Sequence, residues 1–313
     1  MHSFISKTIL PALVFLCICN FLAGQKIDTM TINESIATIK DEKGKVDYLL
    51  NLAQLNLTDS IVSHHCANSA LTISKEISYD SGIISSLHMK ARIFSTYGQY
   101  DKLHDAFDEI FIRYEYEVPS SQLIFLHTEL GDISYSTKHF KEAWEHFQFA
   151  ADGYREANDK YNLAKTIEKI GLVYIEGNDF VKAEQSFNDA ISLFMELLNH
   201  HQIGIQQIHL GDLYVKNNKY PEAEEAFEKA LVRANIIRND TMKAEIKYKL
   251  GSLYFLWDKN INAILNFKEA AALYDQGNNI LWVGHSHTEI ARVYLSENNY
   301  SKTIEHFDKA LRC

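Results

Sequence analysis

The chain has 313 residues, of which 46% are hydrophobic and 23% charged, a balance typical of a folded globular protein. Its formal net charge of −10 argues against nucleic acid and anionic membrane surfaces as partners, because both are bound through an excess of Lys and Arg. The low proline content, 3 residues, favours helices over a turn-rich β fold.

Residues 1–25 have the pattern of a secretory signal peptide. Lys7 is the only strong charge there, and the apolar run TILPALVFLCICNFLAG follows it and ends in small residues before Gln25. An uncleaved membrane anchor is the alternative, but a spanning helix needs about 20 apolar residues, and this run is shorter and contains a proline. We therefore expect an exported protein, periplasmic or membrane-associated, in which residues 26–44 form a lead-in segment.

Residues 45–313 contain an internal repeat with a period of 40. In five regular copies an apolar residue precedes a small residue, which we call the anchor. Most anchors are followed by Tyr three residues later, and all five by Phe sixteen and Ala nineteen residues later. Two weaker copies lie upstream in the same register. The seven units are anchored at Asn51, Ala91, Gly131, Gly171, Gly211, Gly251 and Ala291.

Each unit is predicted to form two antiparallel helices of about four turns, because its apolar residues recur at steps of three and four. Small residues at the anchor and alanine positions let the two helices approach closely, while Phe and Tyr fill the space between them. Residues that tolerate a left-handed backbone are expected to end the first helices at Gly98, Lys138, Asn178, Asn218, Asp258 and Asn298. A second turn is expected at Pro119, Asp159, Asn199, Asn239 and Asn279.

These residues resemble the tetratricopeptide repeat in a version with long helices. Fragments such as LGDLYVKNNKYPEAEEAFEKAL and IGLVYIEGNDFVKAEQSFNDAI carry the Leu-Gly-x-x-Tyr and Ala-x-x-x-Phe-x-x-Ala signatures. The resemblance implies an all-α, right-handed solenoid of stacked helix pairs. It also implies that the first helix of each unit lines a concave face that binds other proteins.

One face of the first helices is the candidate binding surface. Positions six and three before the anchor, and one and four after it, share a helix face distinct from the core face, and this face mixes apolar side chains with a few charges. Burial of part of this row against the neighbouring unit is the alternative. The predicted binding residues are Tyr135, Leu172, Ile175, Ile208, Asp212, Val215, Tyr248, Phe255 and Arg292.

The sequence contains no pattern that predicts catalysis, a cofactor or a metal site. It lacks a Gly-rich phosphate loop, a G-x-S-x-G elbow and an H-E-x-x-H motif. The histidine pairs His64-His65, His200-His201 and His285/His287 are adjacent or alternate, so on a helix they point in different directions. We expect a protein that is not an enzyme.

Two functions remain open at this point. The first is an exported interaction module that binds a protein segment along its concave face. The second is the periplasmic sensor portion of a transmembrane signalling protein, a histidine kinase or helix-turn-helix regulator, whose output domain lies beyond residue 313. Phe307 and Leu311 on the last predicted helix favour a covering element, because solenoids need a polar terminal cap.

Overall fold

A computed structural model describes residues 28–114 and 120–313. Within these ranges the chain forms fifteen α-helices and no β-strand, so the predicted all-α class is confirmed. The predicted signal peptide, residues 1–25, lies outside the described residues. None of the described helices is long and apolar enough to cross a lipid bilayer.

The chain divides into two compact units, one ending at Ile133 and the other running from Ser134 to Cys313. The helices of the first unit are α1 (Thr29–Thr38), α2 (Glu42–Leu55), α3 (Ser60–Glu76), α4 (Asp80–Thr96), α5 (Tyr100–Tyr114) and α6 (Ser120–Ser136), whose last residues follow the division. Those of the second are α7 (Phe140–Glu156), α8 (Lys160–Glu176), α9 (Phe180–Glu196), α10 (His200–Lys216), α11 (Tyr220–Ile236), α12 (Asp240–Leu256), α13 (Asn260–Gln276), α14 (Ile280–Ser296) and α15 (Tyr300–Leu311).

The 40-residue period consists of two halves of 20 residues. From α3 onward the helices begin at 60, 80, 100 and so on to 300, and a linker of three residues separates each helix from the next wherever the linker is described. Counted from α2, the described helices form seven successive pairs, α2–α3 to α14–α15, which is the number of units that the repeat pattern predicts. In the first unit, Ile32 of α1 packs into the same core cluster as Leu49 of α2, so the predicted lead-in is part of that core.

From α3 onward, each described linker ends its helix by the same local chemistry. Its middle residue has a positive φ, as predicted for the first turn of each pair, where Asn178 has φ 57° and Asn218 φ 57°. In the second turn the left-handed residue is one position earlier than the predicted residue, for example Leu198 rather than Asn199. Asn199 instead caps α10, where its side chain accepts a hydrogen bond of 3.1 Å from the backbone N–H of Gln202.

Close approach of the two helices in a pair depends on the anchor glycines. A Cβ atom added to Gly211 would lie 2.4 Å from the ring of Phe227, and one added to Gly251 would lie 2.6 Å from the ring of Phe267. Both phenylalanines are buried, as the repeat pattern predicts. The anchor and the phenylalanine sixteen residues later therefore form one interlocking contact in these pairs.

Tyrosine three residues after the anchor adds a polar contact between successive pairs. The hydroxyl of Tyr214 donates a 2.8 Å hydrogen bond to Glu184 Oε1, and Tyr254 bonds to Glu224 in the equivalent place. Burial, followed by this hydrogen bond, raises the pKa of Tyr254 to about 12. Tyr254 is thus a buried and Tyr214 a partly buried side chain, and both hydroxyls are hydrogen-bonded.

Candidate functional site

A cavity opens along the first helices of the last three pairs, α10, α12 and α14. Its volume is about 520 Å³, and we call it the groove cavity. Because equivalent positions of successive first helices recur every 40 residues, side chains from three different repeats meet there. It is lined by Asp212, Val215, Phe227, Thr241, Glu245, Tyr248, Lys249, Ser252, Leu253, Tyr274, Asn279 and Trp282.

A salt bridge between α10 and α12 forms the polar wall. The ammonium of Lys249 lies 2.7 Å and 3.0 Å from the two carboxylate oxygens of Asp212. Both side chains are partly exposed, so the pair contributes roughly 1 kcal/mol or less to stability. The salt bridge also fixes the position of α10 relative to α12, because it joins one repeat to the next at the edge of the cavity.

Three aromatic rings from α12, α13 and α14 form a second wall, which we call the aromatic wall. Tyr248 meets Trp282 edge to face, with ring centroids 5.3 Å apart, and Tyr274 stacks on Trp282 at 5.6 Å. Tyr248 also packs edge to face on the buried ring of Phe267, at 5.4 Å. Contacts of this kind hold large side chains in fixed positions, so the aromatic wall is preformed.

The polar edges of these rings are available to a ligand. Within the described part of the chain, the hydroxyls of Tyr248 and Tyr274 and the indole N–H of Trp282 have no hydrogen-bond partner. Burial raises the pKa of Tyr274 to about 12, and the nearby carboxylate of Glu245 adds to the shift. Burial also raises the pKa of Tyr248. Both hydroxyls therefore keep their protons at neutral pH.

The structure brings three of the nine predicted binding residues, Asp212, Val215 and Tyr248, together at the groove cavity. Ile208 lies in the hydrophobic core, 5% exposed, because it faces the next helix pair rather than solvent. Arg292 is exposed and binds Glu289 through two contacts of 2.9 Å. The other four predicted residues are partly exposed and pack on core clusters outside the cavity: Tyr135, Leu172, Ile175 and Phe255.

Sequence reasoning did not single out Glu245, Tyr274 or Trp282. Glu245 lies six residues before its anchor, at a position of the predicted binding face whose residues were not named. Trp282 lies nine residues before its anchor, one turn beyond that face, so extending the face by one turn would have found it. Tyr274 belongs to a second helix, and no feature of the repeat pattern predicts its stacking on Trp282.

A buried ionic network lies beside the groove, between α8 and α10. Glu168 is 7% exposed and accepts hydrogen bonds of 2.9 Å and 2.8 Å from Lys165, together with one from Gln206. Burial opposes ionisation of this carboxyl, but the interaction with His209, 3.7 Å away, and the hydrogen bonds from Lys165 outweigh it and lower the pKa of Glu168 to about 2. A carboxylate saturated in this way is suited to holding helices together rather than to acid–base chemistry.

The repeat signature and the fold agree with known proteins. Residues 207–232 match the family model described as tetratricopeptide repeat. No curated protein matches the chain. The structure is similar to the apo form of RapI, with a TM-score of 0.64 and 16% identity over 85% of this chain and 75% of that one.

Two further solved structures are similar over comparable lengths. A Rap protein complexed with competence and sporulation factor has a TM-score of 0.54 and 17% identity over 87% of this chain and 76% of that one. The apo form of the quorum sensor NprR from B. thuringiensis has a TM-score of 0.55 and 18% identity over 86% and 75%. Residues 207–232 therefore match a tetratricopeptide repeat, and the solved structures, at these low identities, show a shared fold.

Proposed function

We propose that this protein is an exported, non-catalytic interaction module that binds a protein segment in the groove cavity. The observation that carries the proposal is a preformed aromatic wall of Tyr248, Tyr274 and Trp282 that lines the same cavity as the Asp212–Lys249 salt bridge. Apolar pockets with a few placed polar groups are typical binding sites, and aromatic residues dominate the energetics of protein interfaces.

The solved structures with this fold agree with a protein or peptide partner. One of them is a Rap protein in complex with competence and sporulation factor, and another is described as a quorum sensor.

The proposal of export rests on the pattern of residues 1–25. A fusion of this segment to alkaline phosphatase, which is active only outside the cytoplasm, tests it.

Peptide selection against the whole chain tests the binding proposal. Random dodecapeptides displayed on phage are selected on the wild-type protein, and the dissociation constants of the enriched peptides are measured by titration. We expect Trp282→Ala and Tyr248→Ala each to weaken binding about tenfold or more, because both remove an aromatic anchor from the cavity.

Trp144→Ala is the matched control. Trp144 is 37% exposed and Trp282 39%, but Trp144 lies on α7 and does not line the groove cavity. Circular dichroism verifies that all three variants keep their helix content. Unchanged affinities for both groove variants would show that the groove assignment is wrong.

A second candidate is the sensor portion of a transmembrane signalling protein. The exposed apolar side chains of α15 favour it, since Ile304 is 62% and Leu311 84% exposed and a covering element would bury them. Sequencing the gene past codon 313 tests this candidate. An open frame that leads into a hydrophobic span and an output domain supports it, and a stop codon contradicts it.

A further inference from the structure

The groove cavity holds a carboxylate, Glu245, that forms no salt bridge with the cations of the described residues. Glu245 is exposed. Lys249 lies one helical turn further along α12, at the spacing that usually pairs Glu with Lys. Its ammonium instead contacts Asp212 on α10, at 2.7 Å. The cavity therefore contains one neutralised carboxylate and one that is available to a ligand.

The aromatic wall beside Glu245 also has a negative electrostatic potential at its ring faces. The face of an aromatic ring carries the negative part of its quadrupole, so a cation near the faces of Tyr248, Tyr274 and Trp282 is attracted to them. Tyr274 is 6% exposed, lines the cavity, and has a hydroxyl without a hydrogen-bond partner in the described part of the chain. A phenolic oxygen in this position can accept a hydrogen bond from a donor that enters the cavity.

We infer that the groove cavity receives a cationic side chain of the bound segment, an arginine in the first place, which pairs with Glu245 and packs on Tyr248, Tyr274 and Trp282. This inference rests on the proposed function and adds the charge and shape of the side chain that enters the cavity. An acidic side chain would face Glu245 and the ring faces, and both would repel it. An apolar one would leave Glu245 and the Tyr274 hydroxyl without partners. The planar guanidinium fits because it stacks on rings while its N–H groups bind a carboxylate.

Competition among three peptide pools tests the inference. Each pool contains acetylated nonapeptides randomised at every position except the fifth, which is arginine, citrulline or glutamate. Citrulline has nearly the shape of arginine but no charge. The pools compete for the immobilised full chain, and mass spectrometry measures what is retained. We expect the wild type to retain the arginine pool about tenfold more than the citrulline pool and to retain the least of the glutamate pool.

Three variants locate the effect. Glu245→Gln is expected to reduce the preference for arginine over citrulline to about twofold, because the rings alone then attract the cation. Glu228→Gln removes the same charge from an exposed position on α11 and is expected to leave the preference unchanged. Trp282→Ala is expected to lose retention of all three pools.

The results separate this inference from the proposed function. Equal retention of arginine and citrulline pools by the wild type, with both lost in Trp282→Ala, would overturn the inference and leave the groove assignment in place. An equal effect of Glu228→Gln and Glu245→Gln would also overturn it, because it would indicate attraction by net charge. Retention of no pool, or retention that Trp282→Ala does not change, would contradict the proposed function itself.

Discussion

Leu198 and Arg238 occupy backbone conformations that their side chains disfavour. Their φ angles are 52° and 53°, in the left-handed region, where the Cβ atom of an ordinary residue crowds its own backbone. The equivalent linker positions in neighbouring repeats hold asparagine, for example Asn158 and Asn278. Leu198 is 78% exposed, so its side chain gains little from packing in return.

Replacement of Leu198 by asparagine is therefore expected to stabilise the protein. Leu198→Asn relieves a conformational cost of about 1 kcal/mol without removing core contacts, and it should raise the thermal midpoint measured by circular dichroism. The control is Leu197→Asn, the same change one residue earlier, where φ is −85°. An equal rise in both variants would mean that loss of an exposed leucine, rather than backbone relief, is responsible.

At the scale of the helices, the repeat pattern was sufficient to predict the fold. The step of 40, the left-handed residues after the first helices and the core phenylalanines follow from local rules, because sterics and packing act in the same way in each copy. The binding surface was predicted less completely. Ile208 and Tyr248 both lie three residues before an anchor, yet Ile208 is in the core and Tyr248 lines the cavity. The difference depends on how each helix packs on the next pair, and a periodic pattern does not contain that information.

The last helix pair, α14–α15, contains a contact between two histidines that depends on pH. His306 of α15 is 6% exposed, and its Nδ1 lies 3.2 Å from Nδ1 of His287 on α14. Burial, then the positive charges of Lys309 and a protonated His287, lower the pKa of His306 to about 4. Lys268 of α13 acts in the same direction, and Glu305 opposes it. The folded pair therefore holds His306 neutral.

Acidification is expected to destabilise the α14–α15 pair. An unfolded histidine titrates near pH 6.5, so stability is full above about pH 6.5 and falls as the pH drops towards 4, where the folded form also takes up the proton. We expect a loss of about 2 kcal/mol between pH 7 and pH 4.5, measured as lower hydrogen-exchange protection factors in α15 after the intrinsic exchange rate at each pH is divided out. His306→Gln should weaken this pH dependence, while His285→Gln, at an exposed position of α14, should preserve it. The same pH dependence in His306→Gln would assign the effect to another group.

At the scale of the whole molecule, most packing is between neighbours in the chain. In the unit from Ser134 to Cys313, each helix packs on the next, and first helices also touch across one repeat, as α12 and α14 do. One core cluster extends from Ala164 to Ala226 and another from Ile208 to Tyr294. The stability of such an arrangement is close to the sum of the contributions of single repeats and of the contacts between neighbouring repeats. Distant repeats therefore influence one another only through the repeats that lie between them.

Removal of the last helix pair should consequently unfold the unit in part and not as a whole. In a variant that ends at Gln276, the cluster around Phe267 loses Ile290, Val293 and Tyr294, so α12 and α13 should lose amide protection. Helices α8 and α9 keep the cluster around Phe187 and should exchange hydrogen as slowly as in the full chain. Hydrogen exchange measured by mass spectrometry at neutral pH resolves these segments. Uniform loss of protection across the unit would contradict the additive behaviour, because it would mean that all its repeats fold in a single cooperative step.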